Sequence, residues 1–149
     1  MATVNIYLNF NGNCEEAFNF YKSVFGGEFP YVGRFGEMPP GEGGKGVTEE
    51  EANRIMHISL PISKETILMG SDTGGEWAAN YQPGNNFSIS VNAESRAEAD
   101  KLFTGLSEGG QVTMPLADMF WGAYFGMLTD RFGINWMVNY DDPSKTGPN

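Results

Sequence analysis

Cysteine and histidine are almost missing from this sequence, and their scarcity excludes several kinds of site. The chain has one cysteine, Cys14, and one histidine, His57, among 149 residues. A single cysteine excludes an intramolecular disulfide, which fits a reducing compartment. The GxSxG, CxxC and HExxH motifs of common nucleophilic, redox and zinc sites are also absent.

Positive charge and long apolar runs are scarce as well. Nine Lys and Arg residues face nineteen Asp and Glu residues, so the net charge is −10. Nucleic acids and anionic membrane surfaces both need a basic face, so neither is expected as a partner. No apolar stretch approaches the roughly 20 residues that span a bilayer, and residues 1–10 lack a signal-peptide pattern. We therefore expect a cytoplasmic protein.

What the chain does contain indicates one globular α+β domain. Hydrophobic residues make up 40% of the sequence and aromatic residues 13%, which is enough to build a core and argues against disorder. Twenty glycines and eight prolines indicate many turns and strands rather than a helical bundle. The length is typical of a single domain, and we expect residues 1–149 to form one.

Alternating and helical patterns predict a strand, a helix and further strands in the first half. Residues 3–10 alternate, with Val4, Ile6, Leu8 and Phe10 on the buried face. Asn13 is a predicted N-cap, and Gly26-Gly27 ends the predicted helix. The expected buried positions of that helix are Ala17, Phe20, Tyr21 and Val24. Further strands are predicted at 28–35, 54–62 and 65–71, with a long loop at 36–53 that is typical of a lid or binding loop.

The second half repeats this order. A strand is predicted at 86–93, Ser95 and Glu98 form a capping box, and strands follow at 111–116, 120–128 and 134–140. The apolar helix positions lie 82 residues after those of the first helix: Ala99, Leu102, Phe103 and Leu106. The sequence therefore predicts two paired βαβββ modules at 1–72 and 86–141, a linker at 73–85 and a flexible tail at 142–149.

The polar faces of the predicted strands supply most of the candidate binding residues. His57 lies opposite the apolar face of its strand and is expected near Tyr7 and Asn9, where it would act as a general base, as a hydrogen-bond donor, or only as a structural partner. Ser88 lies on the equivalent face in the second half. Such a face meets either a ligand or plain solvent, and both alternatives stay open.

Three other sets of residues are candidates for a functional site, and each also has a purely structural explanation. Trp121 and Tyr124 are predicted to line a pocket, although aromatic residues also fill cores and dimer interfaces. Glu37 would be a carboxylate at the pocket rim or a solvated turn residue. Cys14 starts a helix, where the dipole lowers the pKa of a thiol. A nucleophilic cysteine needs an activating partner, and the chain has no histidine besides His57, so an inert cysteine is expected.

Five stretches of the chain resemble the PhnB-like branch of the vicinal-oxygen-chelate superfamily, sometimes labelled 3-demethylubiquinone methyltransferase-like. They are YLNFNGNCEEAFNFYKSVFGGE, FGEMP, NRIMHISLP, ILMGSD and DMFWGAYFGMLTDRFGINWMVN. The superfamily includes glyoxalase I, bleomycin-resistance proteins and extradiol dioxygenases. The resemblance implies a glyoxalase/bleomycin-resistance-like fold of two βαβββ modules with cup-shaped mixed sheets. It also implies a homodimer with pockets near the subunit contact.

The superfamily's chemistry usually rests on a divalent metal, and here the sequence departs from that pattern. The positions that would hold the metal fall near Tyr7, Met69, Ser88 and Met137, none of which suits a hard or borderline cation. Relatives often place a histidine beside the Phe-Trp pair, whereas this chain has Ala123 and Tyr124 there. No glycine-rich turn supports the methyltransferase label. We therefore expect no metal and no cofactor.

Metal-independent binding of a small organic ligand in a cup or dimer groove is the function that the resemblance favours. The expected ligand-binding residues are Tyr7, Asn9, Glu37, His57, Ser88, Trp121, Tyr124 and Met137. The alternative is a metal-dependent lyase or oxidoreductase of the glyoxalase or dioxygenase type, and a third possibility is a structural dimer without a ligand. The sequence does not decide whether the protein catalyses a reaction, and His57 is the only candidate catalytic residue.

Overall fold

The computed structural model describes residues 2–37 and 48–144, apart from the side chains of residues 75–77. Most of the predicted loop at 36–53 and the end of the predicted tail lie outside the described residues. The chain divides into two compact units, Met1–Gln82 and Pro83–Asn149. Their boundary falls within the predicted linker at 73–85.

The first unit is a four-stranded mixed sheet with one long helix. Its elements are β1 (Ile6–Phe10), α1 (Cys14–Phe25), β2 (Tyr31–Arg34), α2 (Glu49–Ala52), β3 (Ile55–Pro61) and β4 (Ile67–Asp72), with 3₁₀ turns at Phe35–Glu37 and Gly75–Asn80. The strand order is β1-β4-β3-β2. β1 is parallel to β4, and the other neighbours are antiparallel.

The second unit repeats this topology. Its elements are β5 (Ile89–Asn92), α3 (Arg96–Ser107), β6 (Gln111–Asp118), β7 (Ala123–Thr129) and β8 (Asn135–Asp141). The strand order β5-β8-β7-β6, with β5 parallel to β8, matches that of the first sheet. The α+β fold of two βαβββ modules is therefore confirmed. None of the described helices is long and apolar enough to cross a membrane.

The core of the first unit lies between α1 and one face of its sheet. Phe18 packs so closely on the sheet that a Cβ added to Gly70 would lie 2.6 Å from its ring. The buried stripe of α1 is Cys14, Ala17, Phe18 and Tyr21. The prediction was wrong about two members of this stripe, because Phe20 and Val24 are only half-buried.

The first strand is also shorter than predicted. Val4 was expected on the buried face but is 95% exposed, since β1 begins only at Ile6, where pairing with Leu68 of β4 starts. An alternating pattern shows which residues share a face, but a neighbouring strand has to be present before that face is buried. Leu8 and Phe10 are buried as expected.

The helix of the second unit agrees with its prediction. Its four expected apolar positions are all buried: Ala99, Leu102, Phe103 and Leu106. The Ser95 hydroxyl accepts a hydrogen bond from the Glu98 N–H at 3.0 Å. Glu98 Oε1 in turn accepts one from the N–H of Glu94, the residue before the N-cap. The capping box is therefore confirmed, with the return bond displaced by one residue.

A buried carboxylate ties separate elements together in each unit. Asp72 accepts hydrogen bonds from the backbone N–H groups of Gly12, Cys14 and Ile55, at 2.8–2.9 Å. It thereby caps α1 from another strand, in place of the Asn13 side chain, which makes no capping bond. Asp130 accepts from two backbone N–H groups in the β7–β8 turn and from Trp136 Nε1 at 2.8 Å. Each carboxylate therefore accepts hydrogen bonds from N–H groups that would otherwise be buried without a partner.

Candidate functional site

Each sheet has one face that its own helix does not cover, which we call the open face. In the first unit the strand register places three rows of residues on this face, of which the pair Pro61 and Ile67 forms one at the end of β3. Tyr7 pairs with Met69, Met69 with Ser59, and Ser59 with Tyr31, so one row crosses all four strands. In the second row, Asn9 pairs with Ser71 and His57 pairs with Gly33.

Three rings form a cluster on the open face of the first sheet, the Tyr7–His57–Tyr31 cluster. Tyr7 Oη lies 3.2 Å from His57 Nδ1, within hydrogen-bond distance. The His57 ring centroid lies 5.6 Å from that of Tyr7 and 5.7 Å from that of Tyr31. Tyr7 is 43% exposed and Tyr31 is 50% exposed, so both rings remain available to a ligand. The sequence predicted His57 beside Tyr7 but did not assign Tyr31 to this face.

The open face of the second sheet carries more methionine side chains than that of the first. Three methionines stand in register across it, because Met114 pairs with Met127 and Met127 with Met137. The row ends at Ser90 on β5. A neighbouring row contains Asn92, Asn139 and Phe125. Thioether side chains are adaptable and polarisable, so such a row suits apolar or aromatic groups of varied shape.

The open face of the first sheet lacks charge at every position that pairing places on it, and that of the second sheet carries one carboxylate, Asp141 at the end of β8. The other side chains of both faces are aromatic, thioether, hydroxyl, amide, imidazole and alkyl groups. Charged residues make up 19% of the chain, and a sheet face that only meets solvent ordinarily carries its share of them. The chemistry of the first open face is therefore that of neutral hydrogen bonding and aromatic contact.

The structure does not place Ser88 and Met137, which were each predicted to bind the ligand, opposite each other. Met137 lies on the open face, but its partner on β5 is Ser90. Ser88 precedes β5 and is exposed. Ser88 and Ser90 have the same parity, so they lie two residues apart along one face of the chain. Ser90 and Met127 had no individual sequence signal beyond this alternation.

Trp121 lies in the turn between β6 and β7 rather than in the predicted strand. Its ring centroid is 6.3 Å from that of Phe125, which belongs to the open face. It also makes an edge-to-face contact with Phe120, at 4.9 Å between centroids. Trp121 is 53% exposed and Phe120 is 98% exposed. Trp121 therefore borders the open face at one end, and Phe120 projects from the turn.

Tyr124 faces the opposite way from the residues it was predicted to join. It belongs to the helix-covered face, where its hydroxyl donates a hydrogen bond to Asp100 of α3. The Arg96 guanidinium lies 3.9 Å from the Tyr124 ring centroid and pairs with Asp118. The hydrogen bond to the Asp100 carboxylate raises the pKa of Tyr124. The Tyr124 side chain therefore connects α3 to the sheet. It lies on the opposite face from Met137.

Glu37 has a local hydrogen-bond partner, and Cys14 belongs to the buried core. Glu37 is exposed, and its carboxylate accepts from the Arg34 N–H at 3.4 Å. Arg34 also pairs with Glu15 at 2.7 Å, and that hydrogen bond lowers the pKa of the Glu15 carboxyl. Cys14 is fully buried, and burial, followed by the nearby Asp72 carboxylate, raises the pKa of its thiol. A raised pKa removes the thiolate that a nucleophile would need.

The donor set does not fit the divalent metal that the superfamily resemblance implies. Tyr7 and Met69 are direct neighbours, and Met137 lies on the other sheet, so these positions offer a phenol and two thioethers. Mg²⁺, Mn²⁺ and Zn²⁺ prefer carboxylate, imidazole or thiolate ligands. Within residues 2–37 and 48–144, no group of three or more His, Cys, Asp and Glu side chains is placed to hold a metal.

Residues 2–139 match the family model described as 3-demethylubiquinone-9 3-methyltransferase. The chain belongs to this family. Protein YjdN of Escherichia coli is 31% identical over 143 residues, which cover 89% of this chain and 91% of YjdN.

Solved structures agree with this family and with the fold. Protein PA1353 from Pseudomonas aeruginosa is 42% identical, with a TM-score of 0.81, covering 95% of this chain and 98% of that one. A PhnB protein from Bacillus cereus, described as a putative 3-demethylubiquinone-9 3-methyltransferase, is 27% identical with a TM-score of 0.71 over 93% and 99% of the two chains. A glyoxalase/bleomycin resistance protein/dioxygenase family enzyme from Burkholderia phytofirmans shares the fold, with a TM-score of 0.59 at 14% identity over 91% and 97%.

Proposed function

We propose that this protein binds a small, uncharged organic ligand on the open faces of its sheets without a metal ion. The observation that carries this proposal is the Tyr7–His57–Tyr31 cluster on a face that has no charged side chain at its paired positions. Ligand sites in proteins combine aromatic walls with a few placed polar groups. The bleomycin-resistance proteins of the same superfamily supply the precedent for a binding role.

The donor chemistry supports metal independence. A metal enzyme of this superfamily would need three or more ligand-type side chains at one point, and the described residues bring only His57 to the first open face. The family description names a methyl transfer, which would need a bound methyl donor. The β1–α1 turn has one glycine, Gly12, and Asp72 already accepts its N–H and that of Cys14. This turn therefore has no backbone cradle for a cofactor.

A thermal-shift screen of chelator-treated protein tests the proposal. Planar neutral compounds should raise the melting temperature without added metal, because a ligand that binds only the folded state stabilises it. S-adenosylmethionine and the ions Mn²⁺, Zn²⁺ and Ni²⁺ belong in the same screen. The proposal is wrong if compounds stabilise the protein only after a metal is added, or if S-adenosylmethionine alone does so.

A charge placed on the open face provides the matched variant. Ser59→Lys puts an ammonium group in the row between Met69 and Tyr31, and it should abolish the shifts given by neutral ligands. Thr104→Lys makes the same change at an exposed position of α3, and it should leave those shifts unaltered. Equal loss in both variants would indicate that net charge, and not the open face, controls binding.

A further inference from the structure

The hydrogen bond between Tyr7 and His57 controls what the imidazole offers to a ligand. Tyr7 is on β1 and His57 is on β3, and β4 lies between these strands. The 3.2 Å contact from Tyr7 Oη to His57 Nδ1 therefore reaches across a strand over the open face. It occupies one ring nitrogen and leaves Nε2 for another partner.

The direction of this hydrogen bond follows from the chemistry of the two groups. A phenol is a better donor than acceptor, because its oxygen lone pair is delocalised into the ring, whereas an imidazole nitrogen is a basic acceptor. Tyr7 O–H therefore donates to the Nδ1 lone pair. A neutral imidazole carries one proton, so that proton lies on Nε2. His57 then presents an N–H donor, and it has no free lone pair with which to act as a general base.

Tyr31 supplies an aromatic wall on the other side of the imidazole. Its ring is tilted by 51° to that of His57. Gly33 pairs with His57 and leaves room for Tyr31, since a Cβ at Gly33 would lie 2.7 Å from Tyr31 Oη. The absence of a side chain at Gly33 thus lets the Tyr31 ring lie along its own strand, beside the imidazole.

We propose that the Tyr7–His57–Tyr31 cluster selects a planar ligand that carries an uncharged acceptor oxygen, such as a ring ketone. The ligand oxygen accepts the Nε2–H of His57, and the ligand ring packs against the tyrosine rings. An anion is disfavoured, because no Lys or Arg occupies a paired position of this face and the chain carries a net charge of −10. Tyr7 is a positioning residue that acts through the tautomer of His57. This inference rests on the proposed function and adds the ligand class.

Three matched bicyclic probes separate the possible polar preferences. 1-Indanone offers an acceptor, indole offers a donor and indane offers neither. Because His57 is the only histidine, its ring signals in ¹H–¹⁵N spectra need no assignment. 1-Indanone should shift them and bind about fivefold more tightly than indole or indane, the factor expected of one neutral hydrogen bond. The inference is overturned if indole binds as tightly as 1-indanone or if the His57 signals do not move.

The tautomer gives a readout that needs no ligand. In the free protein above pH 8, the ring ¹⁵N signals should report the Nε2–H form. Tyr7→Phe keeps the aromatic ring and removes the hydroxyl, so both tautomers should appear, and the affinity for 1-indanone should fall with the fraction of the Nε2–H form, about twofold for equal populations. Tyr124→Phe removes a hydroxyl from the helix-covered face of the second unit and should change neither quantity. An Nδ1–H form in the free protein would overturn the inference.

Failure of the inference is distinguishable from failure of the proposed function. If indole or indane shifts the cluster signals and 1-indanone does not, the open face binds ligands but the assigned ligand class is wrong. If no probe shifts these signals, and the thermal-shift screen finds only metal-dependent ligands, both proposals are wrong. Preserved backbone spectra of Tyr7→Phe show that the comparison concerns the site and not the fold.

Discussion

At the residue scale, the buried Asp72 carboxylate joins β4 to the β1–α1 turn and to the start of β3. All three of its partners are backbone N–H donors, on Gly12, Cys14 and Ile55. Asp72→Asn should destabilise the protein by about 1–3 kcal/mol, because the new amide group points a donor at donors. Asp141→Asn removes an exposed carboxylate and should change stability little. Urea denaturation of both variants measures the difference, and equal stabilities would contradict this role of Asp72.

Cys14 gives a second prediction at this scale, on reactivity and pH. Burial raises the pKa of the folded thiol, so the native protein should resist a thiol reagent at pH 8 that labels the unfolded chain. Above the ordinary thiol pKa the unfolded chain loses a proton that the folded chain keeps. The stability that the buried, protonated thiol contributes to the free energy of unfolding is therefore fully present below the ordinary thiol pKa. It declines as the pH rises above that value. Labelling of native protein as fast as of urea-unfolded protein would contradict burial of the thiol.

At the element scale, each unit depends on close contact between one helix and one face of a sheet. A Cβ at Gly70 would lie 2.6 Å from the Phe18 ring and 2.9 Å from the Leu8 carbonyl oxygen. Gly70→Ala should therefore push α1 from the sheet and cost about 1–3 kcal/mol. Gly84→Ala is the control, since the nearest atom to its Cβ would be 3.8 Å away. A thermal melt of Gly70→Ala that matches the control would show that α1 adjusts without cost.

The elements also show where sequence patterns succeed and where they fail. The Ser95 capping box and the apolar spacing of α3 are local, so the sequence predicted both the start of that helix and its buried stripe. In α1 the same spacing predicted the helix, but the buried stripe includes Phe18 rather than Phe20. Helix rotation depends on which sheet residue the helix meets, and here Gly70 receives Phe18. Such a contact between distant segments is not visible in local periodicity.

At the scale of the whole molecule, we propose a homodimer. Phe120 is 98% exposed beside a half-exposed Trp121, and exposed aromatic groups of this size often mark protein interfaces. Native mass spectrometry should give twice the chain mass of 16.3 kDa. Phe120→Asp should shift the protein towards monomer, and Thr104→Asp on exposed α3 should not. A monomeric wild type would contradict the dimer, and a dimer that survives Phe120→Asp would contradict the role of this turn.

The sequence by itself determined the two βαβββ modules, the family and the polar faces of the strands. Each of these depends on short-range periodicity, caps and turns, or on motifs read along the chain. The tertiary structure decided which side chains meet on those faces. It placed Tyr31 beside His57, paired Ser90 with Met137, and turned Tyr124 towards α3. The physical reason is strand register, because a pairing shift of one or two residues changes every cross-strand neighbour while the alternation within each strand stays the same.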